Sequence, residues 1–286
     1  MNAVIAIEGG LGKNIMALSL MEKLKEKYKE IYVISPYFDL YKCNPYVTDA
    51  FSMGQYGLYE QLILRDDTVV LWKEPYNNNR FIKKKCHLLD AWCEELDIEY
   101  KTDLYPIINV DQLSPKIKKD VDYVKKEIGQ NYIIVQFVGG QSPVASNDNY
   151  DPKNEALKRN YFKGEEIVNY FSEKYKVVNY NLLNELTFRN SMKFQLPYIC
   201  YAELIKSAVF TICIDSSLQH MAASTDTPTF VIWGETRPEH FGWDKHINMS
   251  KPVLNTTAYF KPLGPSPYKI DFWEPEEIIE RIKKEI

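Results

Sequence analysis

The chain has 286 residues, of which 45% are hydrophobic and 26% charged, a globular balance that excludes disordered and fibrous classes. Its length suits two domains of roughly 100–200 residues each. A net charge of −4 argues against polyanion binding driven by overall charge. No apolar run approaches the ~18 residues of a membrane span, and the first residues lack the basic start and cleavage site of a signal peptide. Five scattered cysteines without a C-x-x-C pair read as reduced, packed thiols of a cytoplasmic protein.

In chain order, Ala3–Ile7 reads as a first strand. It ends in Glu8-Gly9-Gly10-Leu11-Gly12-Lys13-Asn14, where glycines permit a tight turn and close approach to a ligand, and Lys13 starts the next helix. A Walker A loop would need glycine at position 7 and a hydroxyl after the lysine, but the chain has Ile7 and Asn14. The deviant Walker A loop of partition-type ATPases is closer, yet Glu8 occupies the place of its signature lysine. A dinucleotide fingerprint fails at Ile15. A plain glycine turn is the other reading.

Ala17, Leu20, Met21, Leu24 and Tyr28 fall at helical spacing and form one buried stripe. Ile31–Ser35 is a second strand and Thr68–Trp72 a third. Glu74-Pro75-Tyr76 then points toward the ligand side. Phe81–Leu96 is a helix, Ile107–Val110 closes this half, and a connector at Asp111–Pro115 leads into a Lys-rich helix to about Glu127. Asp120-Val121-Asp122 in that helix makes a poor metal clamp, because residues i and i+2 do not face each other.

The second half opens with the apolar strand Tyr132–Val138 and the loop Gly139-Gly140-Gln141-Ser142. Downstream Lys158, Arg159 and Asn160 suit a nucleotide phosphate or, equally, a solvated helix face. A helix near Gly164–Lys174, a strand at Lys176–Tyr180, a helix near Tyr198–Lys206 and the strand Val209–Ile214 follow. That strand stops at Asp215-Ser216-Ser217-Leu218-Gln219-His220. Asp215 or Ser216 is a good N-cap, and the amides beyond it form an anion site with the positive end of the helix dipole. His220 lies one turn from Ser216 and Ser217. An ordinary capped helix is the alternative.

The strand Thr229–Trp233 precedes a loop in which Arg237 meets a phosphate, an acceptor or a rim carboxylate. Pro275 opens a last helix with Ile278, Ile279 and Ile282 on one side. This alternation predicts an α/β protein of two Rossmann-like domains, residues 1–112 and 113–286, with the last helix packing back on the first. Ligands are expected beyond the carboxyl ends of the strands, in the cleft between the domains. The four histidines lack zinc spacing, and there is no G-x-S-x-G for a hydrolase.

Three segments together resemble glycosyltransferase family 9, the ADP-heptose:lipopolysaccharide heptosyltransferase group with the GT-B fold. Gly9-Gly10-Leu11-Gly12 resembles its first-strand loop. Asp215-Ser216-Ser217-Leu218-Gln219-His220-Met221-Ala222-Ala223 resembles its D-[ST]-G-x-x-H-x-A-A motif. Pro228-Thr229-Phe230-Val231-Ile232-Trp233-Gly234-Glu235-Thr236-Arg237-Pro238 resembles the strand and loop that follow. The resemblance implies metal-independent, inverting sugar transfer from a nucleotide-diphosphate donor, which is a substrate, with no cofactor. In that reading Asp215, Ser216, Ser217, Leu218 and His220 hold the diphosphate and sugar. Gly139, Gly140, Gln141 and Ser142, with Lys158 or Arg159, close over the nucleotide. Gly10, Leu11, Gly12, Tyr76 and Arg237 lie on the acceptor side.

The chain departs from the family at Lys13, which stands where the lipopolysaccharide enzymes carry their aspartate base. Lys13 would neutralise phosphate, or act as base if burial or a cation lowered its pKa; Glu8 is the nearest other carboxylate, or caps the glycine turn. Ser217 replaces the motif's glycine. The acceptor is left open between a glycan, a small metabolite and a nucleic-acid base, with no stable membrane insertion. Two other classes stay open: a nucleotide hydrolase built on the Gly9–Lys13 loop, and a nucleotide-sugar-binding protein without catalysis.

Overall fold

A computed structural model describes residues 1–99, 103–139, 160–161, 163–180, 187–234, 236–251 and 272–286. The chain divides into two units, Met1–Ser114 and Pro115–Ile286. In the first, β1 (Asn2–Ala6) leads into α1 (Leu11–Ala17), a 3-10 turn (Leu18–Leu20) and α2 (Met21–Lys27). Then come β2 (Ile31–Ile34), α3 (Phe38–Tyr41), β3 (Asp49–Phe51), β4 (Thr68–Trp72), α4 (Asn79–Ile82) and α5 (Leu88–Leu96). Every strand pairing is parallel, in the order β3-β2-β1-β4. Strand β1 is buried along its whole length, as a strand paired on both sides and covered on both faces must be. The stripe Ala17, Leu20, Met21, Leu24 and Tyr28 is buried as its spacing predicts.

Two expectations for this unit are corrected. The helix predicted over Phe81–Leu96 is two helices, broken where Lys84 takes a left-handed φ of 53°. A reciprocal cap starts the second: His87 Nδ1 accepts the Leu89 N–H, and the Asp90 carboxylate accepts the His87 N–H. Strand β3 was not foreseen, because a three-residue strand beginning with an exposed aspartate shows no periodicity.

The second unit begins with α6 (Pro115–Ile128) and β5 (Tyr132–Gln136). It continues through α7 (Gly164–Ser172), β6 (Lys176–Asn179), β7 (Met192–Lys193), α8 (Cys200–Ser207), β8 (Thr211–Ile214) and α9 (Ser217–Ala222). It ends with β9 (Thr229–Ile232), α10 (Pro238–Phe241), β10 (Ile247–Met249) and α11 (Pro275–Glu285). The sheet is again parallel, in the order β10-β9-β8-β5-β6-β7. The last helix, expected to return to the first half, belongs to the second unit. Ile278 and Ile282 of α11 enter the core formed by Ile133, Val135, Phe137, Phe171 and Phe210. Lys163 pairs with Glu274 beside it.

All five cysteines are buried, and none is in a disulfide. Burial pushes the thiols of Cys43 and Cys86 up to about 11 and that of Cys93 to about 12, so they act as small apolar side chains. Among the described residues no helix is long and apolar enough to cross a membrane.

This core is closely packed where α7 begins. A Cβ on Gly164 would stand 2.4 Å from Cδ2 of the fully buried Phe137 ring. Gly164→Ala should therefore destabilise the protein by about 1–3 kcal/mol through overpacking. Urea denaturation reads this directly, and an unchanged midpoint would show that Phe137 can move aside at no cost.

Candidate functional site

Each sheet has one point where the strand order reverses. In the first unit the chain runs from β1 outward to β2 and β3, then returns to place β4 on the other side of β1. In the second it runs from β5 to β6 and β7, then places β8 on the other side of β5. At such a point the connections leave in opposite directions, so the carboxyl ends of the two strands stay uncovered and ligands bind there. Glu8 to Lys13 follow β1 and Tyr76 follows β4 in the first unit, and Gly139 follows β5 and Asp215 to His220 follow β8 in the second.

In the second unit, Gln136 ends β5 and pairs in register with Cys213 of β8. Ser216 donates its hydroxyl across this junction to Gln136 Oε1, at 2.5 Å. Ser217 Oγ lies 3.1 Å from the hydroxyl of buried Tyr180. The N-cap of α9 is Ser216, with extended backbone (φ −155°, ψ 176°), and no side chain caps the helix. This corrects the capping role given to Asp215: its Oδ1 accepts instead from Gln219 Nε2, one turn on, at 2.6 Å. Both hydroxyls face neighbouring elements, so neither caps the first-turn amides of α9, which have no side-chain acceptor among the described residues, and Asp215, Ser216 and Ser217 are half-buried.

Leu218 is a core residue and offers only its backbone. Gly139 donates its N–H to Oδ1 of buried Asn160, at 2.9 Å. Gly140, Gln141, Ser142, Lys158 and Arg159 lie outside the described residues.

His220 is more enclosed than one-turn spacing suggested. It is buried, and its Nδ1 accepts the indole N–H of Trp243 at 3.0 Å; the neutral ring therefore carries its proton on Nε2. Beside it lies His246, weighed in the sequence only for zinc spacing, buried with neither ring nitrogen partnered. Burial, then the neighbouring His220 and Lys245, lower its pKa from 6.5 to about 3. Arg237 has a rim carboxylate beside it, one of the alternatives that the sequence left open. Its Nη1 donates to the Lys251 carbonyl at 2.7 Å and its Nε lies 3.8 Å from Glu239.

In the first unit, Ala6 of β1 pairs with Trp72 of β4. Beyond them Gly9 takes a φ of +91°, open to glycine at little cost. Gly10 is the N-cap of α1, and Leu11, Gly12 and Lys13 form its first turn, so Gly12 is helical. Lys13 is buried. Its ammonium meets Glu74 Oε2 at 2.5 Å and lies 5.5 and 5.6 Å from the ring centres of Tyr76 and Trp92. Such ring faces favour a cation.

Asn14, noted only as a missing hydroxyl, is a hub. Its Nδ2 donates to the Gly10 carbonyl, and its Oδ1 accepts from Ser35 Oγ at 2.7 Å and Tyr41 OH at 3.0 Å. At the Walker hydroxyl position the chain thus holds a fully buried amide that ties α1 to its loop, to the end of β2 and to α3. Glu8 is exposed. Asp120 and Asp122 flank buried Val121 on α6, and among the described residues no three His, Cys, Asp or Glu side chains cluster as metal ligands.

Two measurements check these assignments. Asn14→Ala leaves the hydroxyls of Ser35 and Tyr41 without their shared acceptor and should cost about 1–3 kcal/mol in urea denaturation; wild-type stability would deny the hub. For His246, the unfolded ring takes a proton below about 6.5 and the folded ring not until about 3. Stability therefore falls as pH drops through that window, by up to ~1.4 kcal/mol per unit. Between pH 7 and pH 5 the wild type should lose about 2 kcal/mol more than His246→Leu; parallel pH curves would reject this.

Residues 163–261 match the glycosyltransferase family 9 (heptosyltransferase) family model. No curated protein sequence matches the chain. Among solved structures, a glycosyl transferase family 9 protein from Veillonella parvula superposes with a TM-score of 0.70 at 12% identity, covering 99% of this chain and 96% of that one. The ADP-heptose lps heptosyltransferase II of E. coli gives 0.61 at 13% identity, covering 99% and 98%. E. coli heptosyltransferase WaaC with ADP gives 0.62 at 8% identity, covering 100% of each chain. The chain has the GT-B fold of these proteins, two α/β domains built on parallel sheets.

Proposed function

We propose that the chain is a glycosyltransferase that moves a sugar from a nucleotide-diphosphate donor to an acceptor hydroxyl, with inversion and without a metal ion. The second unit binds the donor and the first presents the acceptor. The observation that carries this reading is the start of α9 at the β5–β8 reversal. Its half-buried Asp215-Ser216-Ser217 turn has first-turn amides that no side chain caps, inside the span that matches the family model.

The chemistry follows from charge. When the bond from the anomeric carbon to the diphosphate breaks, negative charge grows on the leaving phosphate. Fixed N–H donors and the helix dipole stabilise that charge more than they stabilise the less charged ground state. A dipole contribution is ~0.3–1 kcal/mol, up to ~2 when partly buried, so direct hydrogen bonds, above all from the first-turn amides, must supply the larger part. Ser216 and Ser217 are already oriented by Gln136 and Tyr180, which limits the reorganisation that binding requires. In this reading Asp215, held by Gln219, accepts from sugar hydroxyls rather than meeting phosphate. One displacement at the anomeric carbon inverts it.

The nucleotide-hydrolase reading loses support at Asn14, whose amide is engaged within the fold.

A thermal-shift panel of ADP-, UDP- and GDP-sugars tests the proposal. A bound donor at ~100-fold excess over its dissociation constant stabilises the fold by about 2.7 kcal/mol. Ser217→Leu should fill the turn and remove that shift, and Asp215→Ala should weaken donor binding at least tenfold, with both variants folded. Absence of any shift in the wild type, or an undiminished shift in both variants, would overturn the reading.

A further inference from the structure

The first unit holds an ion pair that the donor site does not use. Lys13 and Glu74 arrive from opposite sides of the β1–β4 reversal, one from the helix after β1 and the other from the turn after β4, and meet at 2.5 Å. The two partners differ in access. The Lys13 side chain is 5% exposed, while that of Glu74 is 40% exposed. Lys13 is enclosed with the rings of Tyr76 and Trp92 nearby, so its charge is directed at Glu74 rather than at solvent.

A carboxylate has about four lone-pair sites. In Glu74, Oε2 receives the lysine and Oε1 the Tyr76 backbone N–H, at 3.3 Å. The remaining lone pairs belong to a group that is both fixed and open. Glu8, by contrast, is exposed and no hydrogen bond or ion pair holds it among the described residues. A base works best when its geometry is set before the substrate arrives.

We infer that Glu74 takes the proton from the acceptor hydroxyl and that Lys13 is the positioning residue that holds it there. The inference rests on the transferase reading above. As the acceptor oxygen forms its bond to the anomeric carbon, the bond from that carbon to the diphosphate breaks, and its electron pair leaves with the nucleoside diphosphate. The hydroxyl proton passes to Glu74. Because the oxygen becomes strongly acidic as its new bond forms, a carboxylate can accept its proton. On this assignment Lys13, standing in place of an acid, supplies no base itself; its ammonium already donates to Glu74.

The experiment uses the full chain and water as acceptor, reading release of nucleoside diphosphate from ADP-glucose, UDP-glucose and GDP-mannose alongside donor binding by thermal shift. Glu74→Gln should lower turnover at least a hundredfold with the donor shift unchanged, and Glu8→Gln should lower it far less. Lys13→Met should lower kcat and leave the donor KM unaltered, and Lys13→Arg should restore part of the rate, which a purely structural lysine would not require. If Glu74→Gln fails to fold, Glu74→Asp, which withdraws the carboxylate by one methylene, must still lose at least tenfold. Full turnover in the Glu74 variants, a larger loss in Glu8→Gln, or donor binding by the wild type with no turnover would each overturn the assignment. A wild type that binds no donor fails the transferase reading itself and takes the assignment with it.

Discussion

Parallel pairing of a central strand on both sides governs both units. Strand β1 is bonded to β2 and β4, and β5 to β6 and β8, all running the same way. Each such strand is buried along its length, so its chain must leave at the carboxyl end, and the crossovers on its two sides depart in opposite directions. The gap left above the strand ends is where polar residues can stand half-exposed on a rigid base. Gly9, Lys13 and Glu74 occupy one such gap, and Gly139, Asp215, Ser216 and Ser217 the other. Neither cluster would be placed there by local propensity alone.

The two gaps are furnished with different physics. Around the β5–β8 junction the donors are neutral or backbone, two serine hydroxyls, a tyrosine and first-turn amides, and the Asp215 carboxylate beside them is held by the Gln219 amide rather than by a cation. Such donors can meet an anion without first separating an ion pair. At the β1–β4 junction the central contact is an ion pair between a buried ammonium and a half-exposed carboxylate. Removing one partner would leave the other poorly compensated, which gives the pair a defined geometry as well as a charge. Asn14 fixes the floor beneath it through three buried contacts.

The family resemblance and the sheet order reach the same residues by separate routes. The first uses residue identities around position 215 and in the Gly9–Gly12 loop; the second uses only hydrogen-bond topology, in which residue identity plays no part. Their agreement concerns location, and identities then decide the chemistry at each location. Lys13 illustrates the difference: its position matches the family loop, but its neighbours Glu74, Tyr76 and Trp92 define what the ammonium faces.

Much of the fold was legible along the chain. Strongly apolar strands such as Ala3–Ile7 and Tyr132–Val138, and the helical stripe from Ala17 to Tyr28, carry their period in the order of residues, so alternating α/β structure in two halves could be read directly. Short or interrupted elements could not. The break at Lys84 depends on a cap between His87 and Asp90, and β3 exists because β2 offers it an edge. At the candidate site, sequence determined which chemical groups stand near each strand end. Tertiary structure alone decided which of them meet: that Ser216 turns to Gln136, 80 residues away, that His220 is held by Trp243, that Arg237 is tied to Lys251, and that Lys13 finds Glu74 across 61 residues. Those choices depend on strand order, a property of the sheet that no local pattern encodes.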